Sequence, residues 1–298
     1  MSREDIGIRA KAEFNDLLYE IAIKDVTNAN IKGKFYLIKY THDKIREEDF
    51  IKFLFNNITT YSLTKEERDR LGPEKSDEII KLAQTAFSRF VKNTTTGEFG
   101  EIILFHFLEL TEGAVQIVNK MPLKTSGNVH SFGADALHFS FKDNLKVLYL
   151  GESKTGKSFS EILNKSLTST ENHSNDLQLA CNYLSDDIPD TVRKEIKDYL
   201  NPLKKNKEDF SKVHAIFLGY QCDQLTYPGQ SGKELLDKVI AAYKEEIETY
   251  FKNIEEQIKT NEKLSDQNFL FFVIPFTNID DLRSKFAGAI NNGAAINI

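Results

Sequence analysis

The sequence of 298 residues contains no tryptophan, six prolines and two cysteines, Cys181 and Cys222. Two cysteines cannot build a disulfide framework or a cysteine-rich zinc site, so both of those small-domain classes are excluded. Apolar runs are short as well. The run Phe269–Phe276 falls far below the roughly 18 residues that cross a bilayer, and the first residues are charged without an apolar signal core. We therefore expect a cytoplasmic protein with no membrane segment.

An excess of positive charge is also absent. Lys and Arg total 39 and Asp and Glu total 45, which gives a net charge of −6 with neutral histidine. This balance argues against a protein that wraps nucleic acid by bulk charge alone. It still allows a local basic groove, or a partner that supplies one. The apolar fraction of 40% and the charged fraction of 28% are typical of a globular protein.

Helical and strand-like patterns alternate along the chain. Apolar spacing predicts helices at Glu98–Leu110, Ser158–Leu167, Asp176–Tyr183 and 232–264. Strand-like runs occur at Phe35–Tyr40, Ala134–Phe141, Val147–Glu152, Val213–Tyr220 and Phe269–Phe276. The alternation favours an α/β or α+β core whose sheet is covered by helices. Residues 1–90 show no chemical constellation, so we predict an N-terminal region that is a candidate for partner docking, followed by a catalytic domain over 91–298.

One predicted hairpin brings two carboxylates together. Its strands flank a turn at Lys142–Leu145, where Asp and Asn suit turn geometry. A loop of two or of four residues gives the same register, in which Asp135 lies opposite Glu152. Like charges in such a pair destabilise a sheet, so something must compensate. Lys154 lies on the same strand face as Glu152, and a divalent cation such as Mg²⁺ would compensate as well.

Asp, Glu and Lys side chains at one sheet edge suit metal-assisted hydrolysis. Asp135 and Glu152 would hold Mg²⁺ or Mn²⁺, assisted by the carbonyl of Ser153. Lys154 would orient the attacking water or stabilise the developing charge. Because the pattern is short, a solvated hairpin end with a surface ion triad fits it too.

The motif also resembles a known superfamily. GAD followed by LYLGESK has the form of the PD-(D/E)xK nucleases, with Asp135 as the Asp and Glu152-Ser153-Lys154 as the ExK, although no proline precedes Asp135. The resemblance implies a restriction-endonuclease-like core, with a mixed central sheet flanked by helices and an N-terminal extension. It also implies a Glu on the helix before the hairpin, for which Glu101 is the preferred match and Glu98 the alternative.

A narrower resemblance covers roughly residues 90–225. GEFGE, GAD and GESKTGKS are similar to the HamA family, subunits of the Hachiman antiphage defence system. The resemblance implies a Mg²⁺-dependent DNA nuclease that acts on DNA together with a helicase subunit, HamB. Nuclease activity, the metal and the partner are therefore expectations from similarity.

The same segment matches a phosphate-binding loop. The pattern G-x-x-x-x-G-K-S runs from Gly151 to Ser158, between a predicted strand and a predicted helix. Against it, no later buried strand ends in an acid suited to hold Mg²⁺, and Ser158 to Glu161 also form a capping box. A nucleotide-binding protein using Gly151–Ser158 and a non-catalytic interaction subunit remain the two alternatives.

Further polar residues surround the hairpin in sequence. Four lysines are candidates for a basic rim: Lys120, Lys124, Lys157 and Lys165. Gln178 is a candidate polar contact to the scissile phosphate. Four histidines also lie nearby, His106, His130, His138 and His173, and no two have the spacing of a helical zinc site. We expect His106 to be a packed core residue.

Overall fold

A computed structural model describes residues 3–26, 30–69, 76–90, 97–123, 134–142, 145–173, 184–185, 188, 190–201, 210–227 and 231–293. The strands are β1 (Leu18–Val26), β2 (Ile31–Ile38), β3 (Tyr40–Thr41), β4 (Lys44–Ile45), β5 (Val115–Gln116), β6 (Ala136–Lys142), β7 (Leu145–Gly156), β8 (Phe210–Gln221) and β9 (Asn268–Phe276). The helices are α1 (Arg3–Leu17), α2 (Glu47–Asn56), α3 (Ile58–Ser62), α4 (Lys65–Asp69), α5 (Ser76–Ser88), α6 (Glu98–Leu110), α7 (Phe159–Thr170), α8 (Asp190–Leu200), α9 (Gly232–Lys259) and α10 (Ile279–Asn292).

Seven of the strands form one mixed sheet in the order β1-β2-β9-β8-β7-β6-β5. The four inner strands β2, β9, β8 and β7 are parallel, and the strands outside them pair antiparallel. A mixed central sheet flanked by helices is the predicted architecture, and it is confirmed. The N-terminal hairpin β1–β2 extends this sheet, because β2 pairs with β9.

The central strands of the sheet can be recognised from their apolar composition. Parallel strands covered on both faces read as continuous apolar runs, and every residue of β9 from Phe269 to Phe276 is buried. The predicted strand at Phe269–Phe276 is thus observed. Since β9 lies between β2 and β8, its Phe and Ile side chains contact helices on both sides of the sheet.

Helices cover the two faces in different ways. On one face α6, which is apolar almost all round, is buried beneath α1, α2 and α10. On the other face, α9 buries one side chain per turn, namely Leu235, Val239, Tyr243, Ile247 and Phe251. Together with α7 it packs on β8 and β9. None of the described helices combines the length and apolar character needed to cross a membrane.

Candidate active site

The β6–β7 hairpin has the predicted register. Ala136 pairs with Gly151, Lys142 pairs with Leu145, and the backbone N–H of Asp135 donates to the carbonyl of Gly151 at 2.8 Å. Asp135 therefore lies opposite Glu152 at the end of the pairing. Beyond that point β7 continues as far as Gly156 with no partner on this side among the described residues, and this segment carries Ser153 and Lys154.

The carboxylate of Asp135 is fixed by the neighbouring strand. Its Oδ2 accepts hydrogen bonds from the backbone N–H of Ser153 at 2.8 Å and from the Ser153 hydroxyl at 2.9 Å. Burial raises the pKa of Asp135, and the charges of Glu101 and Glu152 raise it further, to about 7. Sequence reasoning gave Ser153 only a carbonyl role. The structure adds that its N–H and hydroxyl orient Asp135.

The Glu152 side chain is enclosed, with 1% of its surface exposed. Its Oε1 is paired with the ammonium of Lys154, and its Oε2 lies 3.1 Å from Nε2 of His173. Burial by itself would raise the pKa of Glu152, but the hydrogen bond to His173 and the charge of Lys154 lower it below its ordinary value. The ion pair in turn raises the pKa of Lys154 against the effect of its burial. Both groups are therefore charged at neutral pH.

The first turn of α6 supplies further acidic groups. The hydroxyl of Tyr61 on α3 donates to Oε2 of Glu101 at 3.0 Å. Glu98 is 3% exposed on the same turn, and burial together with Glu101 and Glu98 raises the pKa of Tyr61 well above its usual value. The charge of Glu101 reaches Asp135, so the helix-borne Glu expected from the resemblance lies beside the hairpin carboxylates.

Whether this group of side chains fits a metal ion depends on donor type and charge. Within the described ranges, no three His, Cys, Asp or Glu side chains are arranged to share one ion. Mg²⁺, however, keeps several waters and needs only one or two carboxylates. Asp135 is crowded by Glu101 and Glu152, and its raised pKa reports negative charge that a cation would neutralise. The carboxylate oxygens of Asp135 and Glu152 are thus of the donor type that a hard divalent ion prefers.

Two contacts at this edge were missed by sequence reasoning. His173 was noted there only as one of several nearby histidines, yet it is 1% exposed and lies against Glu152. Arg283 on α10 donates to the carbonyl of Thr155 at 2.5 Å and also to the Thr155 hydroxyl. That contact holds the residue next to Lys154. No local motif marks either residue: His173 returns to β7 at the end of α7, and Arg283 reaches it from α10.

The remaining candidates occupy varied positions. Lys157 pairs with Asp280 at 3.2 Å and Lys165 with Glu161 at 2.6 Å, both on the surface. The charge of Lys120 reaches Asp135 and lowers its pKa. His106 is packed in the core as expected, and burial lowers its pKa to about 3. Three candidate residues and one cysteine lie outside the described residues: Lys124, His130, Gln178 and Cys181. The predicted helix at 176–183 lies outside them too.

The backbone from Gly151 to Gly156 is strand and does not form a phosphate loop. Such a loop must leave the strand at its first glycine and wrap a phosphate before the helix begins. Here Gly151 lies inside β7, paired with Ala136 on one side and Ala215 on the other, and Gly156 still pairs with Tyr220. The glycines serve close packing instead, since a Cβ on Gly151 would lie 2.5 Å from that of Ala136.

The start of α7 explains the rest of the G-K-S match. Ser158 is the N-cap residue, and its hydroxyl accepts from the backbone N–H of Glu161. The Glu161 carboxylate turns to Lys165 instead of completing the predicted capping box. Gly156, Lys157 and Ser158 thus lead from the end of β7 into the N-cap of α7.

Comparison with known proteins bears on the whole chain. No curated protein sequence matches it. A family model described as HamA matches residues 12–290, which extends the likeness well beyond the motifs and into the N-terminal hairpin of the sheet. The chain therefore belongs to the HamA family, the antiphage defence proteins of the Hachiman type.

Proposed function

We propose that this HamA-family protein is a metal-dependent DNA nuclease with a PD-(D/E)xK core, the effector of a Hachiman-type complex that acts with the helicase HamB. One observation carries the proposal. The β6–β7 register sets Asp135 opposite Glu152, with Lys154 on the exposed side of Glu152 and Glu101 approaching from α6. These are the residue types of a phosphodiester hydrolase, and they come from two strands and one helix.

Each residue has a distinct role in the proposed reaction. Asp135 and Glu152, with the Ser153 carbonyl, would hold Mg²⁺ or Mn²⁺. The bound ion supplies an activated water and neutralises phosphate charge. Ser153 fixes the Asp135 carboxylate through two hydrogen bonds. Glu101 adds negative charge at the same place and is itself oriented by Tyr61.

Lys154 lies between the enclosed carboxylate and solvent. Its side chain is 32% exposed, whereas that of Glu152 is 1% exposed. An ammonium in this position neutralises Glu152 in the resting protein and can approach a phosphate from outside. We assign it the role of orienting the attacking water or stabilising the charge that develops on the phosphate.

The energetic cost of the cluster argues against a non-catalytic subunit. Buried or half-buried like charges reduce the stability of a fold, and here burial, with added repulsion from Glu101 and Glu152, raises the pKa of Asp135. Groups with strongly shifted pKa values cluster at functional sites. A chain with no use for a cation would be more stable without them.

A partner also fits the overall charge. The net charge of −6 disfavours tight binding of DNA by the isolated chain. A helicase that delivers the strand would remove that difficulty. We therefore expect weak DNA affinity for the free chain and strong engagement in the complex with HamB.

The test compares matched acid and lysine variants in the purified complex with HamB. Glu152→Gln and Lys154→Gln should each lower Mg²⁺-dependent DNA cleavage by about 100-fold or more. Glu234→Gln, at an exposed acid in the first turn of α9, should leave it unchanged. Thermal unfolding establishes that all three variants fold, and Mn²⁺ calorimetry measures ion binding. Cleavage that persists in the Glu152→Gln Lys154→Gln double variant would refute the proposal.

A further inference from the structure

An open groove lined by polar residues runs along α7 and reaches the candidate active site. It has a volume of about 460 Å³ and is lined by Lys154, Asn164, Lys165, Thr168, Ser169 and Asn172. Lys154 is its one lining residue from the sheet, since the others lie on α7 or just after it. The groove therefore begins at the lysine that pairs with the buried Glu152.

The spacing of the lining residues makes the groove continuous. Asn164, Thr168 and Asn172 are four residues apart, so they form one row, and Lys165 and Ser169 form a second row beside it. The opposite face of α7 buries Ile162, Leu163 and Leu167, which fixes the rotation of the helix. The longer row extends about 12 Å. That length corresponds to several nucleotides at the rise of about 3.4 Å in B-form DNA.

The chemistry of this lining suits a phosphate backbone. Among the described residues that line it there are two ammonium groups, amides and hydroxyls, and no carboxylate or aromatic ring. The nearby acids are paired: Glu161 with Lys165 of the groove itself, and Glu171 with Lys263 and Asn261. Donors without aromatic platforms bind phosphate and sugar instead of stacking bases.

Lys165 can move onto a phosphate at little cost. Lys165 pairs with Glu161 at 2.6 Å, and the two side chains are 61% and 60% exposed. Exposed pairs of this kind contribute only about 0–1 kcal/mol. A phosphate carries a full negative charge and would compete with the Glu161 carboxylate for the same ammonium.

We propose that the α7 groove binds the phosphodiester backbone of the DNA strand to be cut, without reading its sequence, and leads that strand to Lys154. The position of the scissile bond rests on the proposed nuclease function, whereas the binding of the backbone does not. The occupant is a nucleic-acid strand, because the groove is open and elongated and its side chains present a row of ammonium, amide and hydroxyl donors.

Binding is measured on the full-length chain in EDTA and about 50 mM salt, by fluorescence anisotropy. The probes are a labelled 20-nucleotide single strand and the matching duplex. Thr168→Asp places a carboxylate in the groove and should weaken binding at least tenfold. Lys165→Gln should lower the salt slope by about one. The matched controls Thr249→Asp, on the exposed face of α9, and Lys157→Gln should bind within twofold of the natural chain.

Each result decides the matter. Equal affinities for Thr168→Asp and Thr249→Asp would overturn the groove proposal, and so would a natural chain that binds neither probe at low salt. Preference for the single strand or for the duplex shows which form follows α7. Glu152→Gln separates the two proposals, because it should lower cleavage in the HamB complex about 100-fold or more without weakening DNA binding. Cleavage by that variant would remove the nuclease assignment without affecting the groove.

Discussion

His173 and Glu152 lie in contact below the surface, with 3.1 Å between Nε2 and Oε2 and 1% exposure of each side chain. The lowered pKa of Glu152 keeps it ionised, and an ionised carboxylate only accepts hydrogen bonds. The proton of this contact is therefore assigned to Nε2 of His173. Because Lys154 holds the other oxygen, the Glu152 carboxylate is oriented from both sides.

The first prediction concerns that orientation. His173→Leu replaces the N–H donor with an apolar side chain that still fills the buried space. We expect it to reduce metal affinity or cleavage by about 10–100-fold. His173→Gln retains an N–H donor and should preserve most activity. The measurements are Mn²⁺ calorimetry on the chain and DNA cleavage by the HamB complex. Equal losses in both variants, matched by equal losses of thermal stability, would mean that His173 acts through packing alone.

The second prediction is that the acidic cluster lowers the stability of the folded protein, and that the size of this loss depends on pH. Burial, Glu101 and Glu152 raise the pKa of Asp135 from 3.8 to about 7. The folded state thus binds this proton more tightly than the unfolded state, so the contribution of Asp135 to stability falls as the pH rises from about 4 to about 7. Without metal at pH 8, Asp135→Asn should stabilise the protein by on the order of 1–2 kcal/mol.

Thermal unfolding in EDTA between pH 4 and pH 8 tests this effect. The difference in stability between the natural chain and Asp135→Asn should become smaller toward pH 4. Added Mn²⁺ should stabilise only the natural chain. Asp237→Asn, an exposed acid on α9, should change stability by less than about 0.5 kcal/mol. A stability difference that stays constant with pH would contradict the raised pKa of Asp135.

The third prediction concerns Gly151, which the phosphate-loop pattern had marked as functional. An added Cβ there would lie 2.5 Å from Cβ of Ala136 and 2.9 Å from Cδ2 of Leu104. Gly151→Ala should therefore cost about 1–3 kcal/mol through overpacking between β6, β7 and α6. Gly97→Ala, whose Cβ would meet only Glu101 Oε1 at 3.5 Å, should cost less than about 1 kcal/mol. Denaturant unfolding compares them, and equal costs would disprove the packing explanation.

The fourth prediction concerns nucleotide binding. Lys157 pairs with Asp280 on the surface at 3.2 Å, so Lys157→Gln should leave DNA cleavage by the HamB complex unchanged and stability within about 1 kcal/mol. The isolated chain should bind no ATP, which calorimetry at millimolar Mg-ATP can check in the absence of the helicase. Saturable ATP binding that Lys157→Gln abolishes would restore the phosphate-loop interpretation.

Local features of the site could be predicted from sequence. The turn at Lys142–Leu145 and the alternation beside it fix the hairpin register, and with it the pairing of Asp135 and Glu152. The bounds of α6 also match the prediction. These features depend on neighbouring residues, whose periodicity is visible in a single chain.

His173 shows why the rest was missed and what signal was available. From Glu152, β7 runs four residues further, about 13 Å, and the twelve residues of α7 then return about 18 Å along the sheet. A residue just after α7 must therefore come back beside Glu152. Tyr61 and Arg283 give no such signal, because their approach depends on how α3 and α10 pack around α6 and β7.

The strand order has a consequence for synthesis on the ribosome. Hairpin β1–β2 is made early, yet on its inner side β2 pairs with β9, which spans Asn268–Phe276. Until those residues emerge, the edge of β2 has no strand to join, and contacts so distant in sequence form slowly. The core beneath α6 and α9 can be completed only when nearly all of the chain has been translated. A protein built in this way gains its full fold at the end of its own synthesis, so interrupted chains lack the finished sheet.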